Sequence, residues 1–250
     1  MNAGDYIAVA AAAVAGGAVN AIAGGGSLIT FPTLVAVGLP PVIANITNTV
    51  ALCPGYLGAV LAQRKDLAGQ RRRALFVLPV ATLGGIGGAL LLLHTEPRAF
   101  DIAVPFLLLF AALLVGAQGT LRTLLARRDA RPHGEVWTIA PVALAATYGG
   151  YFGAGMGVMV LAALGIVLAD SLVRINALKQ AMSLCVNVAA ATVFVFSADV
   201  AWPVAGVMFV GALVGGVVGG KLARKLPARW LRVAIVLLGL ALSAVYFARL

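Results

Sequence analysis

Polar side chains recur at helical spacing inside two long apolar segments. Two stripes share an i, i+3, i+4 pattern: Asn45, Asn48 and Thr49 in the first, and Asn176, Lys179 and Gln180 in the second. Each stripe lies on one face of a helix, and Ser183 and Asn187 extend the second one. Because polar groups in an apolar segment are costly, they normally face a cavity or a partner. The stripes therefore predict a site for a polar solute, with hydrogen bonding between helices as the alternative.

Lys179 is the one charged side chain that falls well inside an apolar segment. It lies about 10 Å along its helix from the predicted N-terminus near Asp170 and Ser171. Asn48 holds the matching position in the first stripe. We expect Lys179 to supply positive charge to a bound anion; the alternative is that its side chain extends to the membrane surface.

Two glycine-rich runs interrupt the apolar segments: Gly24-Gly25-Gly26, followed by Ser27, and GGYFGAGMG from Gly149 to Gly157. Ser27 is a plausible N-cap for a helix that returns after the first run. Helix N-termini that meet inside a membrane would present backbone N–H groups to an anion. Close helix packing is the alternative, and a nucleotide-binding loop is not supported, because no Lys-Ser or Lys-Thr follows the glycines.

The predicted substrate-binding residues come from the glycine runs and the two stripes. They are Gly24, Gly25, Gly26, Ser27, Asn45, Asn48, Thr49, Gly153, Gly155, Met156, Gly157, Asn176, Lys179 and Gln180. No catalytic group, cofactor or metal site is predicted, since His94 and His133 have no partner at a ligand spacing. Cys53 and Cys185 sit among Leu and small residues, which is typical of buried packing positions.

The composition indicates an integral membrane protein. Of the 250 residues 62% are hydrophobic and 10% charged, against about 25% charged in a soluble domain. Mean hydropathy is +1.04. The 58 residues between Asp5 and Arg64 carry no charge, enough for two crossings of about 20 residues each. The net charge of +10 is confined to short clusters, which argues against a nucleic-acid partner.

The apolar runs form eight predicted membrane blocks. They cover residues 7–38, 41–62, 74–93, 101–118, 136–169, 172–197, 200–220 and 230–248. The first and fifth are too long for one span and are cut by the glycine runs, so each is predicted to be a helix hairpin. The arm from Ser27 to Gly38 would rise about 18 Å, less than the roughly 30 Å hydrocarbon core. This favours a re-entrant hairpin; the alternative is a hairpin whose arms fully span the membrane.

Fifteen of the 18 Lys and Arg residues fall in three loops and at Arg174. The positive-inside rule places these loops, around 64–73, 122–131 and 221–232, in the cytoplasm. The loops around Glu96 to Asp101 and around Asp199 are then external, and both termini are predicted to be periplasmic. The blocks 41–62 and 172–197 hold equivalent positions but cross in opposite directions.

Similar motifs recur about 131 residues apart. Asn45 corresponds to Asn176, Leu52-Cys53 to Leu184-Cys185, and Gly84, Gly85 and Gly88 to Gly215, Gly216 and Gly219. With the opposite orientations, this predicts an all-α membrane protein of two inverted-topology repeats, each a glycine-broken hairpin plus three transmembrane helices. Residues 1–120 form the first repeat, 121–135 a basic cytoplasmic linker, and 136–250 the second repeat. Inverted repeats with interrupted helices are typical of secondary transporters.

Three motifs resemble one known family. AGGGSLITFPTL from Ala23, GLPPVIANITN from Gly38 and GGYFGAGMG from Gly149 are similar to the TauE/SafE family of sulfite exporters over the whole chain. The resemblance implies a carrier of the bacterial inner membrane that exports sulfite, sulfoacetate or related organosulfur anions. It also implies that the matching glycines belong to the functional core: Gly24, Gly25, Gly26, Gly153, Gly155 and Gly157.

These observations predict a secondary transporter that exports a small sulfur-containing anion by alternating access. The expected partners are a sulfur oxyanion and the lipid bilayer, with no cofactor and no nucleic acid, and a homodimer stays open. The rival classes are an anion channel, a membrane scaffold or assembly protein, and an intramembrane enzyme. The specific anion, the direction of net flux and the coupling ion are left open by the sequence.

Overall fold

The computed structural model describes residues 1–22, 25–127, 135–168, 170–222 and 228–248, and within these ranges every regular element is a helix. The helices are α1 (Ala3–Ile22), α2 (Ser27–Ala36), α3 (Pro41–Ala62), α4 (Arg64–Leu67), α5 (Arg71–His94), α6 (Pro97–Arg127), α7 (Ile139–Tyr151), α8 (Met156–Val167), α9 (Leu172–Ser197), α10 (Trp202–Leu222) and α11 (Ala228–Phe247), with a 3₁₀ turn (Glu135–Thr138) before α7.

The outer surface of the bundle is apolar. Phe196, Leu83 and Leu144 expose 84%, 69% and 68% of their surface, which suits contact with lipid chains. In the described residues, four helical segments are long and apolar enough to cross a membrane: Ala3–Asn20, Arg71–His94, Pro97–Ala126 and Leu172–Ser197. The predicted class, an all-α membrane protein, is confirmed.

At each glycine run one helix ends and a second helix begins. α1 ends at Ile22 and α2 begins at Ser27, while α7 ends at Tyr151 and α8 begins at Met156. The second arms, α2 and α8, have only 10 and 12 residues. At about 1.5 Å per residue both are shorter than the roughly 30 Å hydrocarbon core. Their first residues, Ser27 and Met156, are buried, so both helices begin inside the bundle.

One predicted boundary differs from the structure by more than four residues. The fourth block was expected to end at residue 118, whereas α6 continues to Arg127. Gln118 is buried and Arg122 is half-buried, so these polar residues lie on an inward face of the helix rather than in a loop. The first part of the predicted linker, 121–135, is therefore helical, and its residues 128–134 lie outside the described residues.

The first arm of each hairpin packs mainly on the half of the chain to which it does not belong. α1 packs most extensively on α10, and α7 on α5. Glycines allow the close approach, because a Cβ on Gly88 would overlap the Thr147 carbonyl oxygen and one on Gly215 would overlap that of Val14. Gly88 and Gly215 thus make equivalent contacts. The sequence comparison paired Gly88 with Gly219 instead, which lies one helical turn further along α10.

α3 and α9 pack against each other at the centre of the bundle and run antiparallel. At one end, Asn176 donates to the side chain of Gln63 (2.7 Å). At the other, the Thr47 hydroxyl accepts from the Ala201 N–H (3.1 Å). The first contact joins the start of α9 to the residue after α3, and the second joins the start of α3 to a residue beyond α9. The two helices therefore run in opposite directions.

A polar cluster joins the two halves at the Gln63 end of α3. Asp170 accepts hydrogen bonds from Arg73 and Arg174, and Arg174 also donates to the Ala68 carbonyl (3.0 Å). Burial of the Asp170 carboxyl opposes its ionisation, but the hydrogen bonds from Arg73, the Ser171 N–H and Arg174 outweigh it and lower the pKa. The carboxylate and its ion pairs therefore persist until the pH falls through that lowered value.

Candidate functional site

The first glycine break is held by the side chain of Asn20. Its Oδ1 accepts from the N–H groups of Gly25 (3.1 Å) and Gly26 (2.9 Å). A Cβ on Gly26 would overlap the carbonyl oxygen of Gly16. Asn20 thus fixes the start of α2 against α1, and Gly24 lies outside the described residues.

The second break uses backbone conformation instead. Gly153 and Gly155 have φ values of +78° and +77°, in the left-handed region that favours glycine. The Tyr148 hydroxyl donates to the Ala154 carbonyl (2.7 Å) between them. The chain therefore turns sharply into α8, whose second residue is Gly157. Within the described residues, the backbone N–H of Gly157 has no hydrogen-bond partner.

Both breaks open onto one cavity at the starts of α2 and α8. Its lining residues are Asn20, Gly25, Ser27, Tyr56, Gly153, Gly155, Gly157, Lys179, Gln180 and Ser183. The cavity volume is about 10 Å³, roughly the space that one water molecule needs. An oxyanion of several atoms is larger than water, so the cavity is too small to hold one in this conformation.

Lys179 supplies the charge in this cavity. Its side chain is only 3% exposed. A Cβ placed on Gly157 would lie 3.8 Å from the Lys179 Nζ, so the ammonium group sits beside the N-terminus of α8. Among the described residues, no carboxylate pairs with it, since their ion pairs join Asp170 to Arg73 and Arg174.

This position is electrostatically unfavourable for a cation. A helix N-terminus carries partial positive charge, and Lys179 faces two such ends, those of α2 and α8, which line the same cavity. A buried charge without a partner carries a large desolvation cost. An anion placed between the ammonium group and the two helix ends would relieve both costs.

Neutral polar groups complete the lining. Gln180 and Ser183 are 2% and 1% exposed, and the Ser183 Oγ has no hydrogen-bond partner in the described part of the chain. Tyr56 and Asn20 also line the cavity. Ser183 and Gln180 can therefore donate hydrogen bonds to a ligand that the cavity holds.

Seven of the predicted residues line the cavity: Gly25, Ser27, Gly153, Gly155, Gly157, Lys179 and Gln180. Met156 does not, because it is buried in the apolar core beside α7. Asn20 and Tyr56 line the cavity without having been predicted. Tyr56 lies seven residues after Thr49, on the face of the first stripe, so that spacing could have found it; Asn20 stands alone in an Ala- and Gly-rich run.

The other predicted polar residues form hydrogen bonds away from the cavity. Asn45 donates to the Tyr151 carbonyl (2.8 Å), and Thr49 donates to the Asn45 carbonyl (2.9 Å). Asn48 accepts from the hydroxyl of Thr30, and Asn176 bonds Gln63. Except for the Thr49 bond within α3, these hydrogen bonds join different parts of the bundle. For these residues the structure therefore shows the alternative given above, hydrogen bonding between helices. Gly26 is held by Asn20 and does not line the cavity.

A larger groove of about 560 Å³ lies on α5 and is distinct from this site. Its lining is almost entirely apolar, and it includes Leu75 and Leu83, which are 66% and 69% exposed. Such a surface suits lipid chains rather than a polar solute. We therefore take the small cavity around Lys179 as the candidate functional site.

Comparison with known proteins assigns the chain to a family. The family model "Sulfite exporter TauE/SafE" matches residues 8–246. The chain belongs to the TauE/SafE family. A probable membrane transporter protein of Haemophilus influenzae is 28% identical over 228 residues, which cover 90% of this chain and 88% of that protein. This TauE/SafE chain is therefore a membrane transporter.

Two further relatives agree with this class. The probable membrane transporter protein ORF9 of a Sinorhizobium species is 27% identical, over 93% of this chain and 88% of its own. The probable membrane transporter protein YfcA of Escherichia coli K12 is 26% identical, over 93% of this chain and 86% of its own. None of these three names describes an enzyme. No solved structure matches the chain significantly.

Proposed function

We propose that this chain is a secondary transporter of the bacterial inner membrane that exports a small sulfur-containing oxyanion. The ligand would be sulfite or an organosulfonate such as sulfoacetate. The observation that carries the proposal is the buried Lys179 ammonium group, which lies at the N-terminus of α8 without a carboxylate partner among the described residues. Membership of a family whose model is called sulfite exporter supports the choice of anion.

The anion would be held by complementary groups on three helices. Lys179 and Gln180 on α9 would supply an ammonium group and an amide, and Ser183 a hydroxyl, while the starts of α2 and α8 would supply backbone dipoles. The closed cavity must open toward one face to admit the anion and toward the other to release it. Rocking of the two inverted halves about the central helices α3 and α9 would give this alternating access.

The experiment compares Lys179→Met with Lys65→Met in proteoliposomes. Lys65 is an exposed lysine on the short helix α4, so its replacement removes the same charge away from the cavity. We expect Lys65→Met to move sulfite and sulfoacetate at the wild-type rate. Lys179→Met should lose at least about tenfold in rate, since truncating a buried charged contact costs several kcal/mol.

Two results would contradict the proposal. One is wild-type transport by Lys179→Met. The other is movement of a zwitterion such as taurine, or of a cation, when no anion moves. Counterflow measured with the same vesicles separates a carrier from a channel, because trans-stimulated exchange requires a binding site that alternates between the two faces.

A further inference from the structure

Two arginine side chains inside the bundle have no role in the proposed substrate cavity. Arg122 on α6 and Arg232 on α11 are both half-buried. Each acts electrostatically on a neighbour: Arg232 on Arg122, and Arg122 on Lys179. Arg122 and Arg232 are therefore neighbouring cations on two helices that pack together, α6 and α11.

The packing of α6 and α11 makes room for this pair. A Cβ on Gly119 would overlap a guanidinium nitrogen of Arg232, so the absence of a side chain at Gly119 lets the guanidinium lie against α6. The Arg232 Nε is buried and has no hydrogen-bond partner in the described part of the chain. A buried N–H group that is left unpaired is destabilising, because it has lost its hydrogen bonds to water.

The charges of the pair are also uncompensated. Among the carboxylates that the structure describes, none forms an ion pair with Arg122 or Arg232. Like charges that are partly withdrawn from water repel strongly, because the effective dielectric constant there is lower than that of water. An oxyanion between the two guanidinium groups would turn this repulsion into attraction, and it could accept a bidentate pair of hydrogen bonds.

The position of Arg122 along the fold sets the order of the two sites. α8 begins at the Lys179 cavity, and its Gly165 packs against Leu125 of α6. Arg122 lies one turn before Leu125 and so beside the part of α8 that leads away from the cavity. This end of α6 precedes a basic loop that the positive-inside rule places in the cytoplasm.

We propose that Arg122 and Arg232 form a second oxyanion site on the cytoplasmic side of Lys179. The pair binds a sulfite or sulfonate ion before it passes to the Lys179 cavity. The ligand identity and the order of the sites rest on the transport function proposed above. The pair itself is defined by side chains that the Lys179 cavity does not include.

The transport test uses Arg122→Gln, Arg232→Gln and the double variant in proteoliposomes loaded with sulfite. Arg98→Gln is the matched control, because Arg98 is exposed at the opposite end of α6. We expect the double variant to raise the apparent KM for sulfite on the cytoplasmic side about tenfold while the maximal rate changes little, since charges outside the main site mainly affect capture. Arg98→Gln should keep the wild-type KM.

Lipid composition separates a dissolved anion from a lipid headgroup. The assay is run in phosphatidylcholine vesicles with and without phosphatidylglycerol. A raised KM in both lipids supports the proposal. An unchanged KM in both overturns it, and so does an effect that requires phosphatidylglycerol, which would show that an anionic lipid occupies the pair.

A binding measurement keeps this inference separate from the transport function. Inorganic sulfate is added to the purified full chain carrying Lys179→Met, and the melting temperature is recorded in neutral detergent. If sulfate stabilises this protein and the stabilisation is lost when Arg122→Gln and Arg232→Gln are added, the site stands even if no anion is transported. If sulfate stabilises neither protein, or both equally, the site is overturned.

Discussion

Asn20 positions the helix end that the anion would meet. Its single Oδ1 atom accepts from the N–H groups of both Gly25 and Gly26, which α2 cannot satisfy from within because they precede its first turn. The same residue lines the Lys179 cavity, as Tyr56 does. Asn20 thus has two roles: it holds the backbone of the first glycine break and it supplies a polar side chain to the cavity.

Two substitutions of Asn20 separate these roles. Asn20→Ala leaves two backbone N–H groups without their acceptor, so we expect it to lower stability by about 1–3 kcal/mol and to reduce transport as well. Asn20→Asp keeps an acceptor but adds a negative charge beside Lys179, so it should keep most of the stability and lose anion transport. The melting temperature in detergent and sulfite flux in proteoliposomes are the measurements. Normal sulfite flux in Asn20→Asp would show that Asn20 does not face the anion.

The sequence predicted Lys179, Gln180 and the glycine breaks because charge and amide groups at helical spacing are rare in an apolar segment. It could not predict Asn20, whose bonding partners are decided by how the chain returns after the glycines. Nor could it separate Gln180 from Asn176. Both lie on polar helix faces, but Gln63 stands opposite Asn176 and the cavity stands opposite Gln180. A helix face indicates a direction, whereas tertiary packing decides what lies in that direction.

At the scale of elements, close contact between helices depends on particular glycines. Gly88 lies against the backbone of α7, where an added Cβ would overlap the Thr147 carbonyl oxygen. Gly87 is its neighbour on α5, and a Cβ there would meet nothing within 4 Å. Because glycine recurs along α5 and α10, the sequence comparison aligned these helices one turn away from the alignment that their contacts give. The contacts of Gly88 and Gly215 fix the register.

Gly88→Ala and Gly87→Ala form a matched pair for this packing. The first should destabilise the protein by about 1–3 kcal/mol, because the added methyl group forces α5 and α7 apart. The second should leave stability unchanged or raise it by up to about 1 kcal/mol, because alanine favours a helix over glycine. Thermal unfolding in detergent measures both. Equal melting temperatures for the two variants would mean that Gly88 is not a contact position.

At the scale of the whole molecule, the helices that the predicted repeat makes equivalent exchange partners. α1 packs on α10 while α7 packs on α5, and α3 and α9 lie antiparallel between them. Such an arrangement is what an inverted repeat requires, since a helix and its copy must point in opposite directions across the bilayer. The pairing of distant halves could not be predicted from hydropathy, which locates segments but does not say which of them touch.

The orientation of the halves can be tested with two residues at equivalent positions. Lys65 follows α3 and Asp199 follows α9, and both are exposed. In a background with Cys53 and Cys185 replaced by alanine, Asp199→Cys should react with a membrane-impermeant maleimide in cells whose outer membrane alone is permeable. Lys65→Cys should react only after the inner membrane is opened. The cysteine-free protein is the control. Because these loops end corresponding helices, labelling of both from the same side would mean that the halves are parallel. A rocking motion between two access states related by a pseudo-two-fold axis would then have no structural basis.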